Sequence, residues 1–160
     1  MSILRPLVEP YAHSLMVPLG IQPVPLLLAI ADVESSGGTN NVPKHEPAYD
    51  YGGLYWKKAT HVKMAVKKYG AFAACSYSSW QIMFILAQEM GYDGDPADLR
   101  SDKIALPWVC AALNKRIFAR GAQNIRDIAD GWNSGSFTDA HVPHEYVEKL
   151  RLAYESYTRA

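Results

Sequence analysis

The sequence feature that most constrains the fold is an apolar segment that ends in a carboxylate. Residues 25–34 read Pro-Leu-Leu-Leu-Ala-Ile-Ala-Asp-Val-Glu. Pro25 can open a helix, because the N–H that proline lacks is not needed in the first turn. Gly37 and Gly38 would end that helix. Because the segment is apolar on nearly every side, we predict that it forms the buried central helix of the domain.

The remaining sequence is typical of a mainly α protein. Residues 39–55 are rich in Gly, Pro, Asn and Tyr and predict a long loop or a small irregular β element, and residues 70–79 predict a second loop. With 160 residues, the chain fits a single domain with a substrate cleft lined by the two loops. Apolar spacing and capping residues predict further helices at residues 3–17, 56–69, 80–90, 101–119, 125–132 and 143–157, with a short one after Asp95.

The overall charge excludes one large class of function. The chain has 16 basic and 16 acidic residues and no net charge, whereas nucleic-acid-binding proteins carry a basic face. Cys75 and Cys110 lack metal-ligand spacing and predict two buried thiols, with a single disulfide as the alternative. We expect no metal and no cofactor.

The N-terminal sequence indicates where the protein is made. Residues 1–9 lack the charged start and apolar run of a signal peptide. Residues 14–31 carry no charge and approach the length of a membrane span, but Pro18, Pro23 and Pro25 would break a helix there. We therefore expect a monomer that is made in the cytoplasm and does not insert into a membrane.

Glu34 is the first candidate for chemistry. Apolar residues precede it, and apolar surroundings disfavour the charged carboxylate, so the pKa of Glu34 should be raised. A carboxyl group with a raised pKa can hold a proton near neutral pH and act as a general acid. The glycines that follow allow a loop or a substrate to approach closely. The alternative is an ordinary polar residue at a helix end.

Three short segments resemble a known superfamily. Residues 29–38, Ala-Ile-Ala-Asp-Val-Glu-Ser-Ser-Gly-Gly, resemble the first motif of the soluble lytic transglycosylases and goose-type lysozymes, an apolar helix ending in Glu-Ser before small residues. Residues 75–83, Cys-Ser-Tyr-Ser-Ser-Trp-Gln-Ile-Met, resemble the second motif, small-x-Gly-Leu-Met-Gln-Ile. Residues 130–135, Asp-Gly-Trp-Asn-Ser-Gly, resemble the third, Ala-Tyr-Asn-Ala-Gly, and Tyr146-Val147 matches the terminal helix. The resemblance spans residues 26–154 and implies a lysozyme-like fold with Glu34 as the catalytic acid.

The departures from these motifs are also informative. Ser78 replaces the glycine of the second motif, Ser79 and Trp80 replace Leu-Met, and Trp132 replaces the tyrosine of the third motif. They indicate a divergent branch of the lysozyme-like superfamily, such as a phage endolysin or virion lysin. They also leave open a catalytically inactive module that binds glycan or builds a virion.

A second carboxylate follows in the first loop. Residues 43–52, Pro-Lys-His-Glu-Pro-Ala-Tyr-Asp-Tyr-Gly, resemble an (Arg/His)-(Phe/Tyr/His)-Glu-Pro segment of some phage muramidases. Glu46 or Asp50 could position a water molecule or stabilise an oxocarbenium-like state, and in an inverting hydrolase the two carboxyl groups lie about 6.5–9.5 Å apart. The alternative is an ion pair with Lys44 or Lys57 that orders the loop.

Aromatic and amide side chains near these segments are candidates for binding sugar. The apolar faces of sugar rings suit Tyr49, Tyr51 and Tyr55, whereas Trp56, Trp80 and Trp108 are expected to pack in the core. The resemblance implies that the side-chain amides of Gln81 and Asn133 bind the hydroxyl and acetamido groups of the sugar. The predicted substrate contacts are Ser35, Tyr49, Asp50, Tyr77, Ser78, Gln81, Trp132 and Asn133.

The expected reaction is cleavage of the β-1,4 bond between N-acetylmuramic acid and N-acetylglucosamine in the glycan strands of peptidoglycan. Glu46 favours a muramidase, which uses water, over a lytic transglycosylase, which forms 1,6-anhydro ends with one acid/base residue. A thiol peptidase built on Cys75 lacks a recognisable His-Asp partner segment. A metal site at His141, His144 and Glu145 lacks further ligands.

Overall fold

The structure is a computed structural model and describes residues 2–135 and 143–160. These residues form eight α-helices and a small three-stranded antiparallel sheet, so the predicted mainly α fold with a small β element is confirmed. The helices are α1 (Arg5–Ala12), α2 (Pro23–Ser35), α3 (Leu54–Lys58), α4 (Thr60–Tyr69), α5 (Phe84–Glu89), α6 (Asp102–Ala112), α7 (Ile125–Ser134) and α8 (His144–Arg159). The strands are β1 (Lys44–His45), β2 (Cys75–Tyr77) and β3 (Ile82–Met83).

Helix α2 is the central element of the fold, as the apolar segment predicted. Residues 26–31 are essentially inaccessible to solvent, and α8 and α1 pack along the helix. The helix ends at Ser35 and is capped by Ser36, which takes the left-handed conformation with φ 53°. There the N–H of Gly37 donates to the carbonyl of Ala31, and that of Ser36 to the carbonyl of Asp32. This C-terminal cap fixes the position of Glu34 in the last turn.

The sheet differs from the prediction in its location. Only β1 lies within residues 39–55; β2 and β3 come from the predicted second loop and from the start of the predicted helix at residues 80–90. Lys44 pairs with Ser76, and Tyr77 pairs with Ile82. A helix cannot begin at Trp80 because that residue lies in the turn between β2 and β3, where its indole N–H donates to the carbonyl of Leu27.

Several helices are shorter than predicted. Helix α1 ends at Ala12 rather than near residue 17, and the predicted helix at residues 56–69 is divided at Ala59, which has an extended backbone. Helix α6 ends at Ala112 and continues as a π-helical turn, Leu113–Ile117, and a 3-10 turn, Phe118–Arg120. Apolar spacing alone does not separate these related turn types, because all of them place similar residues on the buried side.

The core surrounds the turn between β2 and β3. Trp80 is fully buried, while Trp56 and Trp108 are partly buried and pack against the core, as predicted. Cys75 and Cys110 are buried free thiols. Within the described residues, none of the helices has the length and apolar character needed to cross a membrane.

Candidate active site

A cleft of about 660 Å³ opens beside the end of α2. Its walls come from the segment that follows β1, from the strands β2 and β3, and from α4, α5 and α7. All three segments that carry the superfamily resemblance contribute to it, through Glu34, Gln81, Trp132 and Asn133. Glu46 and Tyr49 line the same cleft.

Glu34 projects from the last turn of α2, where a hydrogen bond from another described residue holds its carboxyl group. The hydroxyl of Tyr146, on α8, donates to its Oε1 at 2.5 Å. Burial raises the pKa of Glu34, and the hydrogen bond from Tyr146 and the charge of Lys44 only partly oppose that effect. The charge of Glu46 raises the pKa slightly further. Glu34 is therefore suited to carry a proton into the cleft.

Tyr146 is a site residue that the sequence did not identify as one. In the sequence, Tyr146 belongs only to the terminal helix that matches the superfamily, without a role of its own, and in the structure it packs against the core. Its hydroxyl nevertheless reaches Glu34, and burial next to that carboxyl raises the pKa of Tyr146. The phenol is therefore held in its protonated form, which donates the hydrogen bond to Glu34.

Ser35 supports the site from behind and does not line the cleft. It is buried, and its hydroxyl lies 2.9 Å from the carbonyl of Ala31 and 2.8 Å from that of Ser79. Ser79 is held in turn by Asp102, which accepts both its N–H and its hydroxyl. Gly38 passes so close that an added Cβ would lie 2.8 Å from the Ser79 hydroxyl. The end of α2 is thus fixed to the turn between β2 and β3.

The same turn explains how Gln81 is oriented. Ser78 has φ 70°, a left-handed conformation that favours the glycine found at this place in the superfamily motif. Its carbonyl accepts from the side-chain amide of Gln81 at 3.0 Å, and the hydroxyl of Ser76 donates to the amide oxygen of Gln81 at 2.8 Å. Ser78 is fully buried, so it shapes the turn and does not line the cleft as a substrate contact.

The two loop carboxylates have different surroundings. Glu46 lines the cleft and forms an ion pair with Lys44 at 3.3 Å, the alternative role that the sequence left open. Asp50 lies outside the lining: His45 contacts its Oδ2 and the N–H of Tyr51 donates to its Oδ1, both at 2.7 Å. These hydrogen bonds lower the pKa of Asp50. Asp50 therefore orders the loop, whereas Glu46 can reach a bound ligand.

The aromatic candidates divide in the same way. Tyr49 and Tyr55 stack with their ring centroids 4.5 Å apart and both line the cleft, as does Trp132. Burial raises the pKa of Tyr49 to about 12. Tyr77 is instead buried, and its hydroxyl donates to the carbonyl of Phe72 at 2.6 Å. Tyr51 is exposed and packs on Trp56 away from the lining.

Sequence patterns also missed a charged cluster in the cleft wall. Glu89 forms an ion pair with Arg116 and contacts His61 Nε2 at 3.1 Å, and all three residues line the cleft. The three residues come from α5, the π-helical turn and α4, so no local motif unites them. The charges of Glu89 and Arg116 are near enough to Tyr49 to affect its pKa.

The other chemistries considered from the sequence have less support. No group of His, Cys, Asp and Glu side chains suited to a metal occurs among the described residues, and His141 lies outside them. Burial raises the pKa of Cys75, and that of Cys110 to about 11, which disfavours the thiolate that a thiol peptidase needs.

Comparisons with known proteins give no family. No protein-family model matches the chain, and neither a curated protein nor a solved structure matches it.

Proposed function

We propose that this protein cleaves the β-1,4 bond between N-acetylmuramic acid and N-acetylglucosamine in peptidoglycan, with Glu34 as the general acid. The observation that carries the proposal is a half-buried carboxyl group, whose pKa is raised by desolvation, at the wall of a cleft lined by aromatic and amide side chains. A cleft of about 660 Å³ has the size of a typical small-molecule site. The resemblance of three ordered segments to lytic transglycosylases and goose-type lysozymes supports the choice of substrate.

Proton transfer to the leaving group is the first step. Tyr146 occupies Oε1 of Glu34, so we assign the proton to Oε2. That proton passes to the glycosidic oxygen as the bond from this oxygen to C1 of the muramic ring breaks. The bonding electrons leave with the oxygen, which becomes the 4-hydroxyl of N-acetylglucosamine, and C1 takes on oxocarbenium character.

The cleft residues would hold the sugar for this step. Tyr49, Tyr55 and Trp132 offer aromatic faces to the apolar faces of sugar rings, and Gln81 and Asn133 offer amides to the hydroxyl and acetamido groups. Because Gln81 is held by Ser76 and Ser78, little side-chain entropy is lost when it binds a ligand. We propose a glycan strand of peptidoglycan as the partner and a monomer as the active form of the protein.

The second step has two possible courses. In a muramidase, water attacks C1 and its proton passes to a carboxylate, for which Glu46 is placed in the cleft wall. In a lytic transglycosylase, the 6-hydroxyl of the muramic residue attacks C1 and returns its proton to Glu34, which gives a 1,6-anhydro end. Glu46 lines the cleft with Lys44 as its ion-pair partner, so a carboxylate stands where an attacking water would need a proton acceptor, and this favours the first course. We propose hydrolysis first and transglycosylation as the alternative.

Replacing Glu46 with Gln tests these two courses. If Glu46 directs water, the variant should cleave at least about 10²-fold more slowly than the wild type. Mass spectrometry of fragments from the wild-type digest should then show reducing ends. Asp50→Asn is the control, since it removes a carboxylate from the same loop outside the cleft lining and should cost much less. Anhydro ends with near-normal rates for Glu46→Gln would reject hydrolysis in favour of transglycosylation.

Replacing Tyr146 with Phe tests how Glu34 is held. The Tyr146 hydrogen bond stabilises the ionised carboxylate and lowers its pKa, so its loss should raise the pKa of Glu34 further. Activity requires protonated Glu34 and falls as pH rises through that pKa, so the descending limb of the pH–rate profile should move to higher pH.

Tyr154→Phe is the matched control for that variant. Tyr154 lies on the same helix, and its hydroxyl accepts from the backbone N–H of Gln22 rather than contacting Glu34. Its descending limb should coincide with that of the wild type. This role for Tyr146 would be contradicted if the descending limb of the pH–rate profile of Tyr146→Phe stayed at the wild-type position or moved to lower pH.

A further inference from the structure

A second pocket, of about 670 Å³, adjoins the cleft. His61, Glu89 and Arg116 line both cavities, so they form a shared wall. The other side of the second pocket is built by α4, from residues that include Met64 and Lys68 and do not line the cleft. A group attached to a ligand in the cleft could therefore enter the second pocket across the shared wall.

Arg116 is only partly satisfied in that wall. Its Nη2 is paired with Glu89, whereas its Nε is buried and has no acceptor among the described residues. The residue lies in the π-helical turn at Leu113–Ile117, and such turns within helices are frequent at functional sites. Glu89 also contacts His61, so its single carboxylate is shared between the side chains of Arg116 and His61.

The charges of the second pocket favour an anionic ligand. Lys68 and Arg116 contribute two positive charges and Glu89 one negative charge, and His61 adds positive charge when it is protonated. The ammonium of Lys68 lies 4.8 Å from the ring centroid of Tyr69 at the same pocket. Met64 and Ala65 add apolar surface suited to small methyl groups. The pocket thus combines carboxylate-binding cations with room for short aliphatic side chains.

We propose that the second pocket binds the carboxylate-bearing peptide branch of peptidoglycan while the glycan strand lies in the cleft. This inference rests on the proposed function. The peptide is a side branch attached to the muramic residue of the glycan strand. With the strand in the cleft, such a branch can pass across the shared wall into the second pocket. Lys68 and the guanidinium of Arg116 would pair with carboxylates of the branch, and Met64 would contact alanine methyl groups.

Calorimetric binding to the Glu34→Gln protein tests the proposal without turnover. The two probes are the disaccharide N-acetylglucosaminyl-N-acetylmuramic acid with its peptide branch and the same disaccharide without the peptide. We expect the peptide-bearing probe to bind about tenfold more tightly, which corresponds to one favourable charged contact. The preference should shrink as salt is added, because Lys68 is exposed and its charge is screened by salt.

Lys68→Gln, made in the Glu34→Gln protein, should lower that preference several-fold. Lys67→Gln is the matched control: Lys67 neighbours Lys68 on α4, is exposed and lines neither cavity, so the preference should not change. Equal affinity for the two probes, binding of neither probe, or a preference that survives Lys68→Gln would each overturn the inference.

The proposed function is decided by a separate measurement, the release of fragments by the wild-type protein. Fragments released by a protein that binds both probes equally would reject the peptide pocket and leave the proposed function standing. A peptide preference in a protein that releases no fragments would support the pocket and reject the proposed cleavage.

Discussion

Replacing Glu34 with Gln should lower the rate of peptidoglycan cleavage by about 10²–10⁴-fold, the range that a general acid contributes. The amide keeps the shape of the side chain and can still accept the hydrogen bond from Tyr146, but it has no proton to give to the glycosidic oxygen. Clearing of purified cell walls measures the effect. Asp32→Asn is the matched control, because Asp32 lies in the same last turns of α2 and is exposed.

The same variant should stabilise the fold at neutral pH. The pKa of Glu34 is raised in the folded state above its ordinary value of 4.5, so ionising it costs more in the folded protein than in the unfolded chain. Below pH 4.5 both states are protonated and the cost is absent; it grows as pH rises to the folded pKa, by about 1.4 kcal/mol per pH unit. Glu34→Gln should therefore gain stability over the wild type as pH rises above 4.5, and the gain should level off once pH passes the folded pKa. If the free energies of unfolding of the wild type and of Glu34→Gln change in parallel with pH, Glu34 is not desolvated in the folded protein.

Replacing Trp80 with Ala should lower the free energy of unfolding by about 3–5 kcal/mol, the loss typical of a large aromatic side chain removed from a core. Trp80 is fully buried, and its indole N–H donates to the carbonyl of Leu27 at 2.9 Å. It joins the turn between β2 and β3 to the helix that carries Glu34. Denaturant unfolding monitored by circular dichroism gives the difference.

Trp56→Ala is the comparison for that loss. Trp56 is only partly buried and contacts Tyr51 and Lys63 near the surface, so its replacement should cost less than half as much. Trp80→Phe should lie between the wild type and Trp80→Ala, since it keeps an aromatic ring but not the hydrogen bond. A loss under 1 kcal/mol for Trp80→Ala would mean that the turn is not anchored through Trp80.

The central helix was predictable because its evidence is local. A continuous apolar run after proline and before two glycines specifies a buried helix with Glu34 at its end, whatever the rest of the chain does. The turn between β2 and β3 was not predictable in the same way. Trp80 and Phe84 are four residues apart and would fit one apolar helix face, but the distant carbonyl of Leu27 and the carboxylate of Asp102 select the turn.

The candidate site was partly predictable for the same reason. Glu34, Glu46, Tyr49, Gln81, Trp132 and Asn133 line one cleft, although they come from distant parts of the sequence. Ser35, Tyr77 and Ser78 were expected to contact substrate, but they are buried around the turn. Short motifs do not distinguish a residue that lines a site from one that supports it.

Other features of the cleft depend on contacts between distant residues. Tyr146 lies 112 positions from Glu34, and Arg116 lies 27 from Glu89. Residue spacing within one segment cannot predict such pairs. The contact of the Tyr146 hydroxyl with Glu34 and the charged wall between the two cavities are therefore visible only in the tertiary structure.

Mass spectrometry of soluble fragments from purified peptidoglycan tests the central claim most directly. The wild-type protein and Asp32→Asn should release disaccharide-containing fragments cut between N-acetylmuramic acid and N-acetylglucosamine, and Glu34→Gln should release almost none. Wild-type protein that binds the wall without releasing fragments would contradict the claim and indicate a glycan-binding module. Equal release by Glu34→Gln would equally contradict it, because the cleavage would then not depend on Glu34.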